Sequence, residues 1–96
     1  MRQAYIVTYD ICDPRRLRAV FKLMKGYGEH LQLSVFQCEL NPTERVELEA
    51  RLCGLIHHIE DQILFIDIGP AETRGRRAIE SLGKPYRPPD TEPIVI

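Results

Sequence analysis

Glu29-His30-Leu31-Gln32-Leu33-Ser34-Val35-Phe36-Gln37-Cys38-Glu39-Leu40 is the stretch on which the fold turns. It is strand material, but its alternation changes phase. Leu31, Leu33 and Val35 share one parity, while Phe36, Cys38 and Leu40 share the other. Side chains of a strand alternate between faces, so such a switch means either a bulge or a tight reversal near Gln32 to Ser34 that makes two strands of one run. No Gly or Pro marks a reversal, and periodicity leaves both open.

Upstream, Ala4 to Tyr9 is rich in β-branched and aromatic residues and predicts a buried strand. It ends on a carboxylate, Asp10. Asp13-Pro14 then reads as an N-cap followed by proline at the first helical position, opening a helix over Pro14 to Lys25. Leu17, Val20, Phe21 and Met24 form its apolar stripe, and Arg15, Arg18, Lys22 and Lys25 lie on another face. Cations in the first turn oppose the helix dipole, which Asp13 partly offsets. Gly26 and Gly28 predict a left-handed end to this helix.

Downstream, Asn41-Pro42-Thr43-Glu44 carries an N-cap, an N1 proline and a glutamate placed for a capping box. Leu48, Leu52, Leu55, Ile56 and Ile59 extend a second apolar stripe, with Glu47 and Arg51 spaced to pair at i, i+4. His57 and His58 then fall in the last turn of that helix. Neighbours on a helix point about 100° apart, so the two cannot easily share a metal and read as structural or surface residues. Ile63 to Ile68, bounded by Asp61 and Gly69-Pro70, predicts a short buried strand in which Asp67 faces outward. Thr73 to Arg77 reads as a basic loop, and Ala78 to Leu82 as a short strand or turn. Lys84 to Pro93 holds four of the seven prolines and predicts an extended linker, after which Ile94-Val95-Ile96 reads as a terminal strand.

If Glu29 to Leu40 is split, the order is βαββαβ. That is an α+β, ferredoxin-like arrangement, an antiparallel sheet with two helices on one face, here with a C-terminal tail strand. Residues 1–83 make the domain and 84–96 its proline-rich tail, placed to exchange across a dimer. The fold names no function.

The totals set bounds. Ninety-six residues make one domain with a modest core, which a partner subunit would help. Thirteen Lys and Arg against fourteen Asp and Glu remove any global electrostatic argument for nucleic acid and leave only local arginine clusters. Cys12, Cys38 and Cys53 are odd in number and widely spaced, which argues against a disulfide framework or zinc site and for a reducing cytosol. No apolar run approaches the ~20 residues of a membrane span, so a cytoplasmic, membrane-free protein is expected.

Three pieces taken together are more specific. They are Tyr9-Asp10-Ile11-x-Asp13-x-x-Arg16-Leu17, then Gly28-x-x-x-Gln32-x-Ser34-Val35-Phe36, then the capped second helix with the Asp61-to-Ile68 strand. This pattern resembles the small CRISPR-associated protein two family of the spacer-acquisition module, over residues 3 to 69 and loosely through the tail. The resemblance implies a ferredoxin-like homodimer that acts as a Mg2+-dependent endonuclease on RNA or DNA and bridges subunits of the CRISPR integrase. The family's metal-binding aspartate falls on Asp10, the catalytic and metal residue expected here. Gln37 stands where many relatives carry glutamate.

Chemistry supplies the remaining expectations. One carboxylate per chain is thin for magnesium, but a two-fold axis through the sheet faces would bring two Asp10 together. Arg15, Arg16 and Arg18, with Arg76 and Arg77 in the basic loop, are the candidate phosphate contacts. Tyr9, Ser34 and Phe36 are supporting candidates: Ser34 as a donor, Phe36 as a base platform, a dimer contact or a core residue. Two other classes stand beside the nuclease, namely a non-catalytic dimeric DNA-binding scaffold for the integrase and a small-ligand regulatory module. The absence of a glycine-rich ligand loop weighs against the last.

Overall fold

The computed structural model describes residues 1–75 and 78–86. Six elements follow in the order β1 (Gln3–Asp10), α1 (Pro14–Lys25), β2 (Gly28–Gln32), β3 (Val35–Leu40), α2 (Pro42–Cys53) and β4 (Gln62–Pro70). The sheet order is β2-β3-β1-β4, with every neighbouring pair antiparallel. The change of phase at Glu29 to Leu40 is therefore a hairpin. Leu33 and Ser34 make the turn, and Leu33 adopts φ 29°, a left-handed conformation that branched and bulky residues seldom take. Two contacts hold the tip: His30 Nε2 donates to the Leu33 carbonyl (2.8 Å), and the Tyr9 N–H donates to the Ser34 carbonyl (3.1 Å).

Both helices lie on one face of this sheet and share a core with Val7 and Tyr9 of β1 and with Phe36, Cys38 and Leu40 of β3. Val20 and Met24 from α1 and Leu48 and Leu52 from α2 are buried in it. Each such side chain contributes roughly 1.5–3 kcal/mol of hydrophobic stabilisation. Gly28 is needed where β2 meets β3, because a Cβ there would fall 2.4 Å from the Gln37 carbonyl oxygen and 2.5 Å from Cys38 Sγ.

The helix starts follow the sequence. Asp13 accepts the N–H groups of Arg15 (2.7 Å) and Arg16 (3.2 Å). Asn41 and Glu44 form the reciprocal capping box. The helix ends do not follow it. Gly26 closes α1 in right-handed geometry (φ −81°), and Gly28 belongs to β2. Helix α2 stops at Cys53 with Gly54 as its cap, so Ile59, His57 and His58 lie beyond it in the turn that leads to β4. The apolar spacing runs past a glycine that the backbone uses as a stop. Glu47 does not pair with Arg51. It accepts the Tyr27 hydroxyl (2.6 Å), and the i, i+4 pair of this helix is Arg45–Glu49 (2.8 Å).

Strand β4 is longer than Ile63 to Ile68. Ile63 and Phe65 pack on the core, while Leu64 (46% exposed) and Ile66 (47%) face the side without helices. Asp67 is exposed, as its alternation implied, and accepts the Gln3 side-chain amide (3.0 Å) and the Gly69 N–H (2.8 Å). Beyond β4 the chain crosses the helix-free face. Gln37 Nε2 donates to the Gly75 carbonyl (3.1 Å), and the Tyr86 hydroxyl donates to Gln37 Oε1 (3.2 Å). Residues 78–82 form no strand. Arg76, Arg77 and the expected tail strand Ile94 to Ile96 lie outside the described residues.

Candidate functional site at the carboxyl end of the first strand

Three segments meet where β1 ends. The first is the turn Ile11-Cys12-Asp13, which carries the chain from Asp10 into α1. The second is the hairpin tip at Leu33 and Ser34, and the third is the turn between α2 and β4. Asp10 pairs in register with Gln62 and is exposed, and its side chain makes no hydrogen bond or ion pair among the described residues. Its register parity, shared with Ile6 and Thr8, places it on the helix-free side of the sheet.

Tyr9, one residue earlier, points the other way. It is 5% exposed, its ring stacks on Phe36 with centroids 6.3 Å apart, and burial pushes its phenol up. Phe36 is fully buried against Tyr9, Phe21 (5.6 Å) and His30 (5.0 Å). That corrects two of its expected roles: Phe36 offers no face to a base or to a second subunit and is a core residue. Ser34 lines a shallow groove with Tyr9, Leu17, Arg18, Phe21, Lys22 and Leu33.

The arginines divide. Arg15 and Arg18 are exposed and make no ion pair among the described residues. Arg16 is engaged inside the chain. Its Nε donates to Asp61 Oδ2 (2.7 Å), and its Nη2 reaches Asp61 Oδ1 (3.2 Å) and Glu60 Oε1 (3.3 Å). The Asp61 side chain is completely buried. It also accepts the Cys12 N–H (3.0 Å) and the His57 N–H (2.8 Å). The Arg16 guanidinium, helped by those two amides, holds the Asp61 carboxyl well below the usual carboxylate range. Asp61 is the residue that reading the sequence missed. Its only signal was an acid just before a buried strand, and the partner that gives it meaning lies 45 positions away.

His57 and His58 serve the same turn. His57 Nδ1 accepts the N–H groups of Ile59 (3.3 Å) and Glu60 (3.1 Å), and His58 Nε2 donates to the Cys53 carbonyl (3.1 Å). Among the described residues no three His, Cys, Asp or Glu side chains converge to hold a metal ion. Asp10 fits magnesium as half of a site: a hard, exposed oxygen donor not committed elsewhere, for an ion that keeps most of its waters.

The sequence model of the family described as CRISPR associated protein Cas2 matches residues 3–75. The chain belongs to this family. Among curated Cas2 proteins, it is 47% identical over 93 residues to the "CRISPR-associated endoribonuclease Cas2 1" of Rhodospirillum rubrum, covering 97% of this chain and 90% of that one. It is 41% identical to the "CRISPR-associated endoribonuclease Cas2" of Geobacter sulfurreducens over the full length of both. Among solved structures, Streptococcus pyogenes Cas2 superposes with a TM-score of 0.73 at 38% identity, covering 83% of this chain and 99% of that one. A hypothetical protein from Thermus thermophilus gives 0.77 at 31% identity, covering 93% and 100%. The match to the Cas2 model spans all six elements and the Asp61 network. No helix among the described residues is long and apolar enough to cross a membrane.

Proposed function

We propose that this Cas2 protein is a metal-dependent endonuclease that cleaves phosphodiester bonds of RNA or DNA as a homodimer. The observation that carries the reading is the exposed, uncommitted Asp10 carboxylate at the end of β1, with the cations of Arg15 and Arg18 close by in the chain on α1. The two curated Cas2 relatives named above, both called endoribonucleases, point the same way.

A dimer is supported by the helix-free face. Ile6, Leu64 and Ile66 present apolar surface there, and Asp10 shares its parity. Two such faces related by a two-fold axis would bring the Asp10 side chains of both subunits toward one place, where like charges favour a cation between them. Those two carboxylates would hold Mg2+, whose contribution when bound is to polarise a phosphoryl oxygen and lower the pKa of a water. The chain's own part is to fix Asp10 at the strand end and to orient the phosphate backbone with Arg15 and Arg18. Among the described residues no histidine or lysine stands beside Asp10 as a general acid, and slow turnover is the expected consequence.

The second reading is a non-catalytic dimer that binds DNA and bridges the CRISPR integrase. It is favoured by the lack, among the described residues, of any three His, Cys, Asp or Glu side chains grouped to hold a metal. Asp10 separates the two, because hydrolysis needs it and bridging does not. In assays on RNA and DNA with and without magnesium, Asp10→Asn abolishes cleavage and leaves folding, dimerisation and nucleic-acid binding intact. Exposed substitutions of this kind change stability by less than about 0.5 kcal/mol. Undiminished cleavage by the purified variant would remove Asp10 from the mechanism. A wild-type protein silent on all substrates would leave the bridging reading.

A further inference from the structure

We infer that Asp61 and Arg16 form the positioning pair of this site: they set the turn that carries Asp10, and Arg16 is committed to that task and not to phosphate. The inference rests on the nuclease reading above for its effect on turnover, and on geometry alone for the pairing.

Between the end of β1 and the start of α1 stand only Ile11, Cys12 and Asp13. Asp13 is used to cap α1, and Ile11 contributes a buried side chain. The one hydrogen bond found for the Cys12 amide, two residues from Asp10, goes to Asp61. A carboxylate offers about four lone-pair sites. Those of Asp61 are filled by the Cys12 N–H, the His57 N–H, and Nε and Nη2 of Arg16. One completely buried side chain therefore joins the turn after Asp10, the first turn of α1 and the turn before β4. The strand β4 that follows pairs with β1, with Gln62 opposite Asp10. The Asp10 backbone is thus held from both directions.

Arg16 faces two carboxylates, Asp61 and Glu60, so the local charge around its guanidinium is net negative. A phosphate approaching it meets two carboxylates already bonded to the guanidinium, whereas Arg15 and Arg18 make no ion pair among the described residues. Lysine cannot replace this arginine, because an ammonium is a point donor and cannot span both oxygens as the planar fork does. Misplacing a reacting group by about 1 Å costs on the order of a hundredfold in rate. That is the effect expected of loosening this turn.

The test compares Arg16→Lys, Asp61→Asn and the double variant with wild type. In Arg16→Lys the Cys12 amide exchanges with solvent at least tenfold faster by NMR, while the amides of Val7 and Phe36 in the sheet keep their protection. Turnover falls about a hundredfold with KM unchanged. Asp61→Asn gives the same loss, and the double variant loses no more than either single one, as members of one unit do. The salt dependence of nucleic-acid binding stays the same in Arg16→Lys and in Arg16→Gln combined with Asp61→Asn, whereas each lost phosphate contact lowers the slope by about one.

Full turnover in Arg16→Lys, additive losses, or a slope lowered by one in the charge-free pair would overturn the inference. If Asp61→Asn fails to fold, Arg16→Lys decides. If wild type cleaves nothing, the nuclease reading falls by itself, and the Cys12 exchange and the salt slope decide the pairing: unchanged exchange overturns it.

Discussion

Replacing Phe36 with alanine separates a core residue from a nucleic-acid contact. The side chain is fully buried, with the rings of Tyr9, Phe21 and His30 within 6.3 Å of its own. Large-to-small substitutions of a buried Phe cost about 3–5 kcal/mol, because transfer energy is lost and a cavity is left. A domain of this size has about 5–15 kcal/mol of stability in total and loses roughly 4–8 °C of Tm per kcal/mol. Phe36→Ala is therefore expected to melt at least about 12 °C below wild type. Phe36→Leu, which keeps most of the volume, loses about 1–2 kcal/mol. The assay is thermal and urea unfolding followed by circular dichroism at fixed protomer concentration, since dimerisation makes the midpoint concentration-dependent. Nucleic-acid affinity is then measured well below each midpoint and stays within about twofold of wild type. A Phe36→Ala protein that keeps its Tm and loses binding would refute the core assignment.

Asn41→Ala removes the acceptor for the Glu44 N–H (2.7 Å) and is expected to lower stability by about 1 kcal/mol in urea denaturation, with no change there placing the capping energy elsewhere. Stability is also expected to fall in acid. Asp61 (by Arg16), Asp13 (by the Arg16 and Arg15 amides) and Glu44 (by the Asn41 amide and Arg2) are all held below their ordinary carboxylate values in the fold. Groups depressed on folding contribute fully above their unfolded values of about 4 and lose that contribution as pH falls through the folded ones, so urea midpoints drop between about pH 5 and 3. A midpoint that holds steady or rises over that range would contradict this. Cys38 is buried, and burial pushes its thiol up to about 12, whereas Cys12 and Cys53 are exposed. Iodoacetamide should label Cys12 and Cys53 in the native protein and Cys38 only after unfolding, and native labelling of Cys38 in peptide mass maps would count against the fold.

Most of the architecture was legible because it rests on local chemistry. Asp13-Pro14 and Asn41-Pro42 start helices at both predicted places, and the stripes of Val20, Met24, Leu48 and Leu52 are the buried ones. The hairpin between β2 and β3 was only half legible. Its turn uses Leu33 with a positive φ, and such a residue carries no sequence signature. Contacts from His30 and Tyr9, distant in kind or in sequence, fix it instead. The candidate site divides along the same line. Asp10 was singled out by its place at a strand end together with the family resemblance, and Arg15 and Arg18 by their place at a helix start. Arg16 was grouped with them as a candidate phosphate contact. What sets it apart is Asp61, and a pairing across 45 positions is a property of the folded sheet.

The sheet order has a consequence for how the chain is made. Strand β1 lies at the centre, between β3 and β4, yet it leaves the ribosome before either. At ordinary synthesis rates its apolar run from Ala4 to Tyr9 waits on the order of seconds for a neighbour. The β2–β3 hairpin, whose strands are joined by two residues, can close first and offer β3 as a template. Strand β4 arrives last, and with it the acid that clasps Arg16. During that interval Asp10, Asp13 and the arginines that follow flank an unpaired sticky strand with charge, a placement that discourages one nascent chain from pairing with the next. The residues proposed to handle nucleic acid in the finished protein would thus first guard its birth.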